Sequence, residues 1–125
     1  MATTKKLGLK AGQHLVVRDG PEGYPERLGA LPEGASLATT SKDKRKGDVM
    51  LFFARDMKGL ARVIPAVVEA SAASSVWIAY PKGTSGLATD LNRDRLSDAV
   101  DRAGLRSVTL IALDETWSAM RFRGD

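Results

Sequence analysis

The sequence predicts an α/β domain in which a mostly parallel sheet lies between helical layers. Three observations carry that expectation. Val49-Met50-Leu51-Phe52-Phe53 and Val76-Trp77-Ile78-Ala79-Tyr80 are short, continuous apolar runs without polar alternation. Strands apolar on both faces are usually buried on both faces, as in a parallel sheet covered on either side. Between the two runs, Met57, Leu60, Ile64, Val67 and Val68 recur at helical spacing. That stretch reads as strand, helix, strand, with a right-handed connection. Strands and helices alternate along most of the chain, the pattern of a three-layer architecture.

The elements follow in order. Residues 1–6 read as a frayed tail, and Leu7 to Gly12 as a turn leading into the strand His14–Arg18. Asp19-Gly20-Pro21-Glu22-Gly23 forces a turn. A short helix is expected from Tyr24 to Leu31, with Leu28 and Leu31 on one face, ended by Pro32-Glu33-Gly34. Ala35 to Thr39 is a weak second strand, and Ser41 to Gly47 a polar, basic loop. After the third strand, Asp56 is placed to accept hydrogen bonds from the first turn of the next helix. Pro65 falls inside that helical pattern and lacks an N–H, so a kink or two short helices are expected.

The fourth strand ends at Pro81-Lys82-Gly83-Thr84-Ser85-Gly86. Thr89-Asp90 precedes an amphipathic helix with Leu96, Ala99, Val100 and Ala103 on one face. Gly104 suits the left-handed residue after its end. Val108 to Leu113 is a strand, Asp114-Glu115-Thr116 a turn, and Trp117 to Arg123 a final, alternating strand. So short a turn allows no parallel crossover. The last two strands form an antiparallel hairpin or flank a gap that the last one fills.

Composition bounds the chemistry. A chain of 125 residues that is 43% hydrophobic suits one domain with a real core. With no cysteine, disulfides, thiolate catalysis and cysteine-bound metals are excluded. There is no apolar run long enough to span a membrane, and the first residues lack the apolar stretch of a signal peptide, so a cytoplasmic location is expected. The net charge of +4 is concentrated in Lys5, Lys6 and Lys10 and in the basic patch Lys42, Lys44, Arg45 and Lys46. Such patches are solvated surface or a meeting place for phosphates.

Two resemblances bear on the fold. From 48 to 123, the order of an apolar strand, a helix, a strand ending in a Pro-Lys-Gly loop, a helix and a closing hairpin resembles the second half of a Rossmann-like S-adenosylmethionine-dependent methyltransferase. This likeness implies the strand order 2-1-3-4-6-5 with only the last strand antiparallel. The whole chain also resembles a family of small bacterial proteins catalogued as a domain of unknown function. The residues concerned are Lys6-Leu7-Gly8-Leu9-Lys10-Ala11-Gly12, Pro21-Glu22-Gly23, Pro81-Lys82 with Ser85-Gly86 and Thr89-Asp90-Leu91, and Asp114-Glu115-Thr116-Trp117-Ser118. Ala11 and Gly83 depart from that pattern, where proline and a second lysine are expected.

The candidate ligand site is the loop after the fourth strand, because ligands of open α/β sheets sit at the carboxyl ends of strands. Lys82 offers charge, Thr84 and Ser85 hydroxyls, Gly83 and Gly86 close backbone approach, and Asp90 a cap or a cleft-facing carboxylate. An anion fits that chemistry, although the loop lacks the P-loop spacing. A capped helix behind a surface loop accounts for the same residues. The standard cofactor pattern is absent. Pro21 removes a donor, the glycine spacing after the first strand is wrong, and the second strand ends in Thr39-Thr40-Ser41 without an acid. No cofactor is therefore assigned.

His14, the only histidine, has no second ligand at a telling spacing, so no metal is assigned and a structural role is expected. Asp114 and Glu115 are adjacent acids in a turn, where capping by Glu115 or Thr116 is the plainer role. Trp77 and Trp117 read as packing residues.

The leading expectation is a non-catalytic module that binds a small anion or a protein partner. The alternative is a divergent methyltransferase-like enzyme, and the sequence favours enzyme no more than non-enzyme. A weak nucleic-acid or anion binder acting through the basic segments stands third, since interleaved aromatics are lacking. A homodimer through an exposed sheet edge or the last helix is compatible with the pattern.

Overall fold

The computed structural model describes residues 7–18, 31–38, 47–72, 74–82 and 89–124. Within them six strands form one sheet: β1 (His14–Arg18), β2 (Ser36–Ala38), β3 (Val49–Phe53), β4 (Ser75–Pro81), β5 (Leu105–Ala112) and β6 (Trp117–Gly124). Helix α1 (Met57–Ala70) follows β3, and helix α2 (Arg93–Arg102) follows β4. The tail 1–6, the expected helix up to residue 30 and the basic patch Lys42, Lys44, Arg45 and Lys46 lie outside the described residues. No helix among the described residues is long and apolar enough to cross a membrane.

The strand order is β2-β1-β3-β4-β6-β5. β1 pairs in parallel with β2 and β3, and β3 with β4. β6 is antiparallel to both β4 and β5. The α/β class, the order and the single antiparallel strand all match expectation. The turn before β6 explains its direction. Asp114 Oδ1 accepts hydrogen bonds from the backbone N–H of Thr116 at 2.7 Å and of Trp117 at 2.8 Å. The cap is thus Asp114, not Glu115, and the chain reverses at once into the slot beside β4.

Each face of the sheet carries its own core. On one face, Leu60, Val63 and Val67 of α1 and Leu96 and Val100 of α2 pack on Phe52, Val76, Ile78, Met120 and Phe122. On the other, Leu7, Leu9 and Leu113 cover Leu15, Val17, Leu51, Phe53, Trp77 and Trp117. β3 and β4 face a core on both sides, which is why their sequences do not alternate. The alternation of β6 sorts residues between two cores: Trp117 and Ala119 go to one, Met120 and Phe122 to the other. β5 is an edge, and its Val108 and Leu110 are 45% and 43% exposed.

α1 decides against one of the two alternatives expected at Pro65, a break into two helices. Pro65 lies inside a continuous 14-residue helix, without a break into two. Its ring is exposed, while Leu60, Val63 and Val67 are buried on either side of it. An interior proline costs about 3 kcal/mol. Burying one Leu or Val side chain returns about 1.5–3 kcal/mol, so three such anchors outweigh the defect. Pro65→Ala is accordingly expected to raise the unfolding free energy by about 1–2 kcal/mol. The gain in helix propensity is reduced by the freedom alanine restores to the unfolded chain. A urea midpoint that does not rise would show that the helix has fully absorbed the proline.

α2 begins at Arg93, and its cap is Asn92, whose side chain accepts from Arg95 N–H at 2.9 Å. Gly104, at φ +91°, ends the helix as expected.

Candidate functional site

The sheet has one topological switch. β1 and β3 are neighbours, yet the chain leaves β1 toward β2 on one side and leaves β3 through α1 toward β4 on the other. Divergent connections open a crevice outside the carboxyl ends of the two strands, where ligands of open α/β sheets bind. Arg18 ends β1, with its guanidinium carbon 5.7 Å from the ring centroid of Phe52. Phe53 ends β3.

A cavity of about 320 Å³ opens beside Phe53, lined by Arg55, Asp56, Lys58, Gly59, Arg62 and Val63. Two carboxylates cap the helix at its rim. Asp56 Oδ1 accepts from Gly59 N–H at 2.7 Å, and Asp90 Oδ1 accepts from Met57 N–H at 2.8 Å. Asp56 fills the role its sequence position predicts. Asp90 caps α1 from a distant loop, and Asn92 takes the cap of α2. Thr89 reinforces the tie by donating from Oγ1 to the carbonyl of Arg55 at 2.5 Å, and Arg95 Nη1 donates to the carbonyl of Asp90 at 2.9 Å. The loops after β3 and β4 are thereby bound into one rim. Asp90→Ala is expected to cost about 0.5–2 kcal/mol of stability, the value of a lost N-cap. Thermal unfolding of the variant tests this, and an unchanged midpoint would deny the tie.

Of the sequence-expected ligand residues, Lys82 and Asp90 are brought to this carboxyl edge. Lys82 is half-buried, and its backbone N–H donates to the carbonyl of Thr116 at 2.8 Å. Gly83, Thr84, Ser85 and Gly86 lie outside the described residues. Tyr80 sits just before Lys82, 6% exposed. Burial pushes its phenol up from the ordinary value, against the opposing Arg93 charge and a hydrogen bond to Ser118, with Asp94 pushing the same way as burial. The hydroxyl is therefore neutral at physiological pH.

His14 belongs to the opposite, amino edge. Its Nδ1 lies 2.6 Å from Ser36 Oγ, and its backbone N–H donates to Asp48 Oδ2 at 2.8 Å. These bonds staple the starts of β1, β2 and β3. Sequence reasoning passed over the cations of the cavity, Arg55, Lys58 and Arg62. Their signal was legible: Lys58 and Arg62 stand four residues apart on the helix and Arg55 directly precedes its cap, all just after an apolar strand.

No family model matches the chain, and no curated protein matches it. Solved structures do. A mutant of MtNAS in complex with S-adenosylmethionine is similar at a TM-score of 0.60 and 14% identity, over 98% of this chain and 59% of that one. An O-methyltransferase from neocarzinostatin biosynthesis, in complex with S-adenosylmethionine and 2-hydroxy-5-methyl naphthoic acid, is similar at 0.55 and 12%, over 90% and 49%. A SAM-dependent methyltransferase from Aquifex aeolicus is similar at 0.54 and 10%, over 94% and 85%. The chain thus spans about half to three-fifths of the first two proteins.

At such identities the likeness establishes the fold, which is Rossmann-like and shared with S-adenosylmethionine-dependent methyltransferases. The expected small bacterial family has no counterpart among the matches. The expectation of a non-catalytic module is corrected, because these neighbours bind or depend on S-adenosylmethionine. They favour the methyltransferase-like alternative.

Proposed function

We propose that this chain is a methyltransferase-like enzyme that binds S-adenosylmethionine in the crevice between the carboxyl ends of β1 and β3. The observation that carries the reading is the topological switch between these strands, in a fold whose solved neighbours carry that molecule. When bound, S-adenosylmethionine supplies a methyl group on a sulfonium sulfur, open to attack by a nucleophilic acceptor.

Phe53 ends β3 at this edge, and the capped start of α1 fixes the loop beyond it. Asp90 and Lys82 flank the neighbouring strand end, where Lys82 can meet a carboxylate and Asp90 orients the rim. The segments 19–23 and 39–41, where glycines and an acid are usual, are outside the described residues. Tyr80, neutral and nearly enclosed, fixes the α2 side of β4.

Calorimetric titration with S-adenosylmethionine and its demethylated product tests the proposal. Saturable binding in the micromolar range, roughly −8 kcal/mol, is expected. Absence of heat at millimolar ligand would overturn it.

A further inference from the structure

We propose that the cavity at the start of α1 receives the anionic group, a carboxylate or phosphate, of the methyl acceptor. This rests on the methyltransferase reading. The cavity is lined by three cations, Arg55, Lys58 and Arg62, against one acid, Asp56. No carboxylate among the described residues lies within ion-pair distance of the three. α2 treats its bases differently, for Arg93 lies 3.9 Å from Asp94, and Arg102 pairs with Asp98 at 3.1 Å. Lys58 and Arg62 are like charges four residues apart on a helix, an arrangement that is unfavourable without a counter-charge.

The attraction comes from the side chains and not from the helix end. The first-turn N–H groups of Met57 and Gly59 already donate to Asp90 and Asp56. Two guanidinium forks and an ammonium on one cavity lining suit the paired oxygens of a carboxylate or phosphate. S-adenosylmethionine is already assigned to the crevice between β1 and β3, on the other side of the β3 end from α1. The cavity therefore belongs to the other reactant. Its volume of about 320 Å³ is at the lower end of small-molecule sites. Phe53 and Val63 add an apolar wall for the body of a small acid.

The test is an NMR titration of the full chain with inorganic phosphate and, separately, acetate, on the wild type and on an Arg55→Gln/Arg62→Gln variant. Amide shifts that saturate and centre on residues 55–63 are expected, with affinity at least about tenfold weaker in the variant. Both substitutions are at exposed positions, and an unchanged melting curve confirms the fold. Calorimetry with S-adenosylmethionine is run on both proteins and is expected to be the same in each. Shifts centred elsewhere, or undiminished in the variant, would overturn the cavity assignment while leaving the methyltransferase reading intact. Phosphate binding at 55–63 in a chain that fails to bind S-adenosylmethionine would overturn the acceptor assignment together with that reading.

Discussion

Trp117→Ala is expected to lower the unfolding free energy by about 3–5 kcal/mol, the range for truncating a buried aromatic. Trp117 is 3% exposed and opens β6. Its ring meets Phe53 edge-on, with centroids 5.0 Å apart and planes at 81°. β4 lies between β3 and β6, so this contact reaches over a strand and ties β6 to the middle of the sheet. Edge-to-face pairs add about 0.5–1.5 kcal/mol beyond their buried area. The backbone of Trp117 is engaged too, accepting from Leu113 N–H at 2.9 Å and donating to Asp114 at 2.8 Å. The alanine variant keeps those bonds and loses the ring, so the measured change isolates packing. Trp117→Phe, which keeps a ring, should cost less than half as much. Denaturant unfolding followed by fluorescence and far-ultraviolet dichroism reads both variants, and a change under about 1 kcal/mol for the alanine variant would refute the tie.

Leu60→Ala is the second large effect, a loss of about 2–5 kcal/mol. Leu60 is fully buried and belongs to the cluster in which α1 meets the sheet. It lies one turn beyond the cap, between the cavity's Lys58 and Arg62. A hole there weakens the anchor that holds α1 despite Pro65. It also loosens the frame on which the cations stand. The variant should show a lower urea midpoint with an unchanged slope, since the surface exposed on unfolding is nearly the same. A shift equivalent to less than about 1 kcal/mol would mean that α1 is not seated on Phe52 and Ile78 as described.

Much of the architecture was readable because it is local. β3 and β4 announced themselves as continuous apolar runs, Asp56 as a cap, and Gly104 as a left-handed stop. Each depends on neighbours within a few residues. At Pro65 the sequence left a kink or two helices open, and packing against strands distant in sequence holds the helix continuous. Asp90 was read with the helix that follows it, whereas its partner, Met57, lies 33 residues back. The candidate site was legible only in part. Lys82 and Asp90 were expected at the carboxyl edge of the sheet by the rule that ligands gather there, and they lie at that edge. The crevice itself is a property of strand order, and no window of sequence contains it. Searching for a glycine pattern therefore favoured a module without catalysis, and the three-dimensional likeness reverses that preference.

The slot filled by β6 has a consequence for biosynthesis. Residues 117–124 emerge from the ribosome after every other described element, at about 5–20 residues per second. Until they arrive, β4 has an open edge and β5 has no neighbour to join. The nascent sheet therefore stays split until β6 has emerged to join its two halves. Where two nascent chains lie close together, the β6 of one can enter the vacant slot of the other. Crowded polysomes would then yield strand-exchanged pairs that dilute synthesis avoids.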